Sequence, residues 1–196
     1  MTKYFFTLTS ILILSFTSCK KDKTTNPDCT DGSANFTHLG VGHELRYVFY
    51  SFSLAEDSMI VKNISVPTAG TYKSTITFLP SNNPTDIYYH ACGMDLYTSL
   101  DGNFNQYGHF WLSLSANVGE SWSRSLNGRT YTYKLYSKDA TVTTPSLNKT
   151  FTNCYKFTYQ SNTSFFGADT IYFKPEIGIV YYEGFDASYE LASKNF

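Results

Sequence analysis

Alternation with a period of two dominates the chain after residue 40. In the run from His109 to Ser115, Phe110, Leu112 and Leu114 fall on one face, while Trp111 and Ser113 fall on the other. Successive side chains of an extended strand point to opposite sides, so a run of this kind forms a half-buried strand. The same spacing recurs in Leu45-Tyr47-Phe49, in Tyr72–Leu79 through Ile76 and Phe78, in Tyr131-Tyr133-Leu135 and in Tyr155-Phe157-Tyr159. No window outside the extreme N-terminus sustains apolar residues at helical spacing, so no helix is expected there.

Turn chemistry connects these segments. Asn127-Gly128 separates Ser121–Leu126 from Arg129–Tyr136, and Asp101-Gly102 separates Asp95–Leu100 from Asn103–Ser115. Such dipeptides suit two-residue hairpins because the type I′ turn needs positive φ at both central positions. Further strands are expected near residues 44–52, 58–66, 85–92, 151–161, 168–174, 177–183 and 187–192, giving about ten strands in consecutive hairpins. Strands joined by short turns are antiparallel. The expected fold is therefore all-β: an antiparallel meander forming a curled sheet, half-barrel or barrel, with a β-sandwich as the alternative.

The extreme N-terminus is different. Lys3 precedes an uncharged, largely apolar run from Tyr4 to Phe16, followed by Thr17, Ser18 and Cys19. The run is too short to span a bilayer comfortably, since a helix needs about 20 apolar residues, and it has the layout of a secretory signal. The segment Ser15-Phe16-Thr17-Ser18-Cys19-Lys20-Lys21-Asp22 resembles the processing site of bacterial lipoproteins, especially the relaxed form common in the Bacteroidota. Phe16 stands where the stricter pattern has Leu. The resemblance implies that Cys19 becomes the acylated first residue of the mature protein. Lys20 is not the aspartate associated with inner-membrane retention, so the resemblance points to the outer membrane, with the side it faces left open. The C-terminal stretch Ile171–Tyr182 likewise resembles the strand-turn-strand ending of many small bacterial lipoproteins of unassigned function.

Residues 20–34 are rich in Lys, Asp, Thr, Pro and Gly and hold little that is apolar. Such a composition does not offset the entropy of ordering and makes a tether. The expected organisation is a signal peptide over 1–18, a lipidated Cys19 and tether over 19–34, and one all-β domain over 35–196. Acyl groups on Cys19 would hold the chain to a membrane without a transmembrane helix.

Removing residues 1–18 takes away Lys3 alone among the charged residues and moves the formal net charge from −1 to −2. A balance so close to neutral argues against nucleic acid, which is bound by clustered Lys and Arg. Aromatic residues make up 18% of the chain, nearly all Tyr and Phe, and these favour strands.

With Cys19 acylated, Cys29, Cys92 and Cys154 remain, an odd number for an oxidising compartment. A Cys92–Cys154 bridge, a bridge using Cys29 and no bridge all stay open. His90 and Cys92 share a strand face, but a zinc site needs a third and usually a fourth ligand. The remaining histidines, His38, His43 and His109, bring no partner at a familiar spacing, and neither a metal nor a cofactor is expected. His43-Glu44-Leu45-Arg46-Tyr47 lacks the second histidine of a zinc-protease helix, and Gly40-Val41-Gly42 lacks the third glycine and following helix of a dinucleotide loop. Ser146-Leu147-Asn148-Lys149 matches Ser-x-x-Lys, yet it follows Pro145 in a Thr/Ser/Asn loop without the rigid setting a nucleophile requires.

The sequence thus points to a non-enzymatic envelope lipoprotein that binds a glycan, a protein partner or an apolar molecule. Trp111 and Trp122 are its candidate ligand-stacking residues, set against the alternative that such rings serve core and cross-strand packing. A hydrolase acting on envelope or dietary polymers such as polysaccharides is the competing class, for which no acid/base pair can be placed.

Overall fold

The computed structural model describes residues 31–51, 58–100, 110–126, 128–163 and 167–196. Cys19, Cys29, the signal segment and the Asp101-Gly102 turn lie outside them. Twelve strands run through the described residues: β1 (Glu44–Ser51), β2 (Ser58–Thr68), β3 (Thr71–Leu79), β4 (Asn83–Cys92), β5 (Asp95–Ser99) and β6 (Trp111–Ser113). They continue as β7 (Ser121–Leu126), β8 (Arg129–Thr143), β9 (Thr150–Ser161), β10 (Asp169–Lys174), β11 (Gly178–Glu183) and β12 (Ala187–Lys194). No helix among the described residues is long and apolar enough to cross a membrane.

All twelve strands belong to one antiparallel sheet in the order β6-β5-β4-β3-β2-β1-β12-β11-β10-β9-β8-β7. Around this sheet every neighbour is also a neighbour in sequence except β1 and β12, the first and last described strands. The meander therefore returns on itself and leaves β6 and β7 as its two edges.

Register ties the alternating residues into continuous rows. Phe157 faces Ile171, Ile171 faces Tyr182, Tyr182 faces Tyr189 and Tyr189 faces Phe49. Tyr47 faces Met59, Met59 faces Phe78, and Tyr72 faces Tyr89. These side chains line the concave face, where burying them supplies the main stabilisation of the fold.

Among the described residues the edges do not close by backbone pairing; they overlap. Leu96 opposes Leu112 on the concave face, so Tyr97 and its partner Trp111 point outward from the same two strands. Outward does not mean solvated here, because β5 and β6 are buried on both faces apart from Asp95 at the start of β5. The inward rings of β7 and β8 cover them: Trp122 meets Trp111 edge-on at 6.1 Å, and Trp122 Nε1 donates to the Trp111 carbonyl at 3.2 Å. The sheet is thus rolled, with β6 tucked beneath β7 and β8.

One end of the roll is plugged by residues 31–43. Gly32 donates to the Ala91 carbonyl at 3.2 Å, and an added Cβ at Gly32 would strike the Gly93 backbone. Residues 31–34, expected to finish the tether, thus already pack on the sheet because glycine permits the close approach. Two 3-10 turns, Ser33–Asn35 and Thr37–Leu39, follow and bury Phe36, His38 and Leu39 inside the roll. Asn63 pins them from β2, donating through Nδ2 to the His38 carbonyl at 2.8 Å, while Ser74 Oγ donates to Asn63 Oδ1. At the other end β1, β5 and β9 hand over to connections that lie mostly outside the described residues.

Candidate functional site

Inside the roll lies a cavity of about 240 Å³. Its wall runs from His38, Leu45 and Gly178 near the plug, past Met59, Val61 and Ile87, to Phe49, Phe78 and Phe110 near the far end. None of the described lining residues carries a formal charge at neutral pH. An eight-stranded barrel is about filled by its own side chains, whereas a twelve-stranded roll encloses more room than the inward side chains occupy.

Tyrosine rings supply most of the polar atoms. Tyr47 lies edge-on to Tyr189 at 5.2 Å, and Tyr189 stacks on Tyr182 at 4.8 Å. Tyr47 OH donates to the Ile179 carbonyl at 2.9 Å. Tyr182 OH donates to Asp169 Oδ2 at 2.9 Å, and its oxygen lies 3.2 Å from Tyr159 OH, which is left to donate to it. Among the described residues, Tyr89 and Tyr189 have no hydrogen-bond partner for their hydroxyls. Both rings line the cavity and keep some accessible surface. Burial pushes the Tyr89 hydroxyl up to about 12 and Tyr189 well above its usual range, because a phenolate is poorly solvated there.

His38 closes the wall beside the plug. It is 5% exposed, and its Nδ1 lies 2.8 Å from the Pro175 carbonyl, which can only accept, so Nδ1 carries the proton. Burial lowers its pKa from 6.5 to about 4, against the upward pull of the Pro175 bond, so the ring is neutral at pH 7.

The residues singled out from the sequence lie elsewhere. Trp111 and Trp122 are 3% and 5% exposed and fill the overlap between the sheet edges, so neither offers a face to a ligand at the surface. Their reading as stacking platforms gives way to the core-packing reading. Cys92 ends β4 and Cys154 lies on β9 in a different packing cluster; no disulfide joins them. His90 shares the outward face with Cys92 and lies 2.9 Å from Thr71 Oγ1, through Nδ1. No group of three His, Cys, Asp or Glu among the described residues is arranged to hold a metal ion.

The Ser-x-x-Lys segment has a structural task. Ser146 N–H and Leu147 N–H donate to the Glu190 carboxylate at 3.0 and 2.9 Å, and Lys149 Nζ donates to the Ala192 carbonyl. Glu190 is 1% exposed, so the β8–β9 connection folds over β12 and satisfies a buried carboxylate. His43 stacks on Phe196 at 4.1 Å and so ties the plug to the C-terminus.

No protein-family model matches the chain, and no curated protein sequence matches it.

Proposed function

We propose that the chain is an outer-membrane lipoprotein held by acyl groups on Cys19, and that its rolled sheet is a non-enzymatic module binding a small apolar molecule. The interior cavity carries this reading: about 240 Å³, walled by apolar and aromatic side chains, with no formal charge on its described lining. Covering the apolar surface that faces this space gains about 25 cal/mol per Å², so an apolar guest is favoured. The reading prefers an apolar molecule over a glycan or a protein, because the tryptophans that would have stacked on sugars are enclosed.

The binding half is tested by purifying the protein from its native envelope and analysing an organic extract by mass spectrometry. Ile87 lines the cavity and keeps accessible surface toward it, so Ile87→Phe is the cavity-filling control. A small apolar compound should accompany the wild type and be depleted at least fivefold in the variant; identical extracts would refute binding inside the roll. The anchoring half predicts that Cys19→Ala moves the protein from the membrane to the soluble fraction. Unchanged partitioning would refute it.

A further inference from the structure

The cavity is small and most of its polar atoms are tyrosine hydroxyls, which narrows the guest. We infer that the roll binds an uncharged, compact hydrophobe bearing one or two oxygen acceptors, a phenol, alcohol or ketone, and discriminates against carboxylates and amines. This rests on the apolar-guest reading and goes beyond it by naming the chemistry recognised.

Size comes first. An apolar cavity of about 150 Å³ holds benzene, and drug-sized sites begin near 300 Å³. The 240 Å³ here falls between them and fits a guest of about ten to twelve non-hydrogen atoms, closer to a fused ring pair than to a long acyl chain.

Polarity comes second. Tyr47 OH is spent on the Ile179 carbonyl, and Tyr182 OH on Asp169. That leaves Tyr89 and Tyr189, which line the cavity and whose hydroxyls have no partner among the described residues. A hydroxyl without a partner in an apolar wall can donate its O–H to a guest oxygen or accept from a guest O–H, and a guest that does neither forfeits that bond. Geometry thus rewards an oxygen on the guest.

Charge comes third. Neither Lys, Arg, Asp nor Glu is among the described lining residues, and His38 is committed through Nδ1 to the Pro175 carbonyl. A carboxylate or ammonium entering this space gives up its hydration without a counter-charge. The same penalty holds the tyrosines in their neutral form.

The test is equilibrium dialysis at pH 7 of the full chain carrying Cys19→Ala, so that no detergent or bilayer competes. The probes are naphthalene, 2-naphthol and 2-naphthoate, and Ile87→Phe in the same background measures binding outside the cavity. Expected are 2-naphthol binding at least fivefold tighter than naphthalene and at least tenfold tighter than 2-naphthoate. Tyr89→Phe combined with Tyr189→Phe should cut the preference for naphthol over naphthalene to less than twofold. Equal binding of naphthol and naphthoate, or a naphthol preference absent or untouched by the tyrosine changes, overturns the inference while the apolar-guest reading stands. If no probe binds the wild type better than Ile87→Phe, both fall.

Discussion

Trp122 stacks on Tyr133 at 6.0 Å and meets Phe157 edge-on at 6.3 Å, so its ring is a strut between the sheet edge and the interior. Truncating a buried aromatic removes transfer energy and leaves a hole, so Trp122→Ala should cost about 3–5 kcal/mol, read as a lowered urea midpoint. A loss under about 1 kcal/mol would contradict the enclosed position. His38 adds a pH dependence. Its folded pKa of about 4 lies below the ordinary 6.5, so between those values the unfolded chain holds the extra proton. The stabilisation is full above pH 6.5 and is lost as pH falls toward 4, about 3 kcal/mol across the window. Urea titrations of wild type and His38→Gln should therefore converge as pH drops from 7 to 4; a constant gap would refute the neutral, buried ring. Neither feature was legible in the sequence. A lone histidine and a tryptophan in an alternating run carry no mark of which face the fold later covers. Glu190 shows the same limit, since its outward register suggests solvent until the 144–149 connection folds across it.

Strand existence and hairpin order were legible, because alternation and turn residues are local signals. Gly128 takes φ +76° as the Asn-Gly turn requires, and β7 and β8 pair across it from Leu126 to Arg129. The count rose from about ten to twelve, and β8 runs to Thr143 through bulges that simple alternation did not extend across. The overlap of β5 and β6 beneath β7 and β8 was not legible, since two-sided burial arises only when distant edges meet. Charge is trapped in that overlap. Arg124 lies over the Tyr97 ring at 5.7 Å, and its Nη1 and Asp95 Oδ1 are buried without hydrogen-bond partners among the described residues. Burial lowers the Arg124 pKa, a sign that the cation is poorly compensated. Arg124→Met keeps the stem and removes the charge, so thermal unfolding should place the variant within about 1 kcal/mol of wild type or above it. A loss of more than about 2 kcal/mol would mean the cation is well paired after all.

For the whole molecule, the all-β curled meander expected from the sequence is the architecture found, and it is an open roll whose edges overlap. What periodicity does not encode is whether inward side chains meet across the interior. That depends on strand number and on how far the edges slide past each other, and here it leaves room beside Tyr89, Ile87 and Val61. Xenon enters dry apolar cavities and scatters strongly, so a crystal of the protein pressurised with xenon tests the account most directly. The account predicts a strong xenon peak inside the roll, within contact of Met59, Ile87 and Ile179, that is lost in Ile87→Phe. An interior without xenon, filled by side chains or by ordered water, would contradict it.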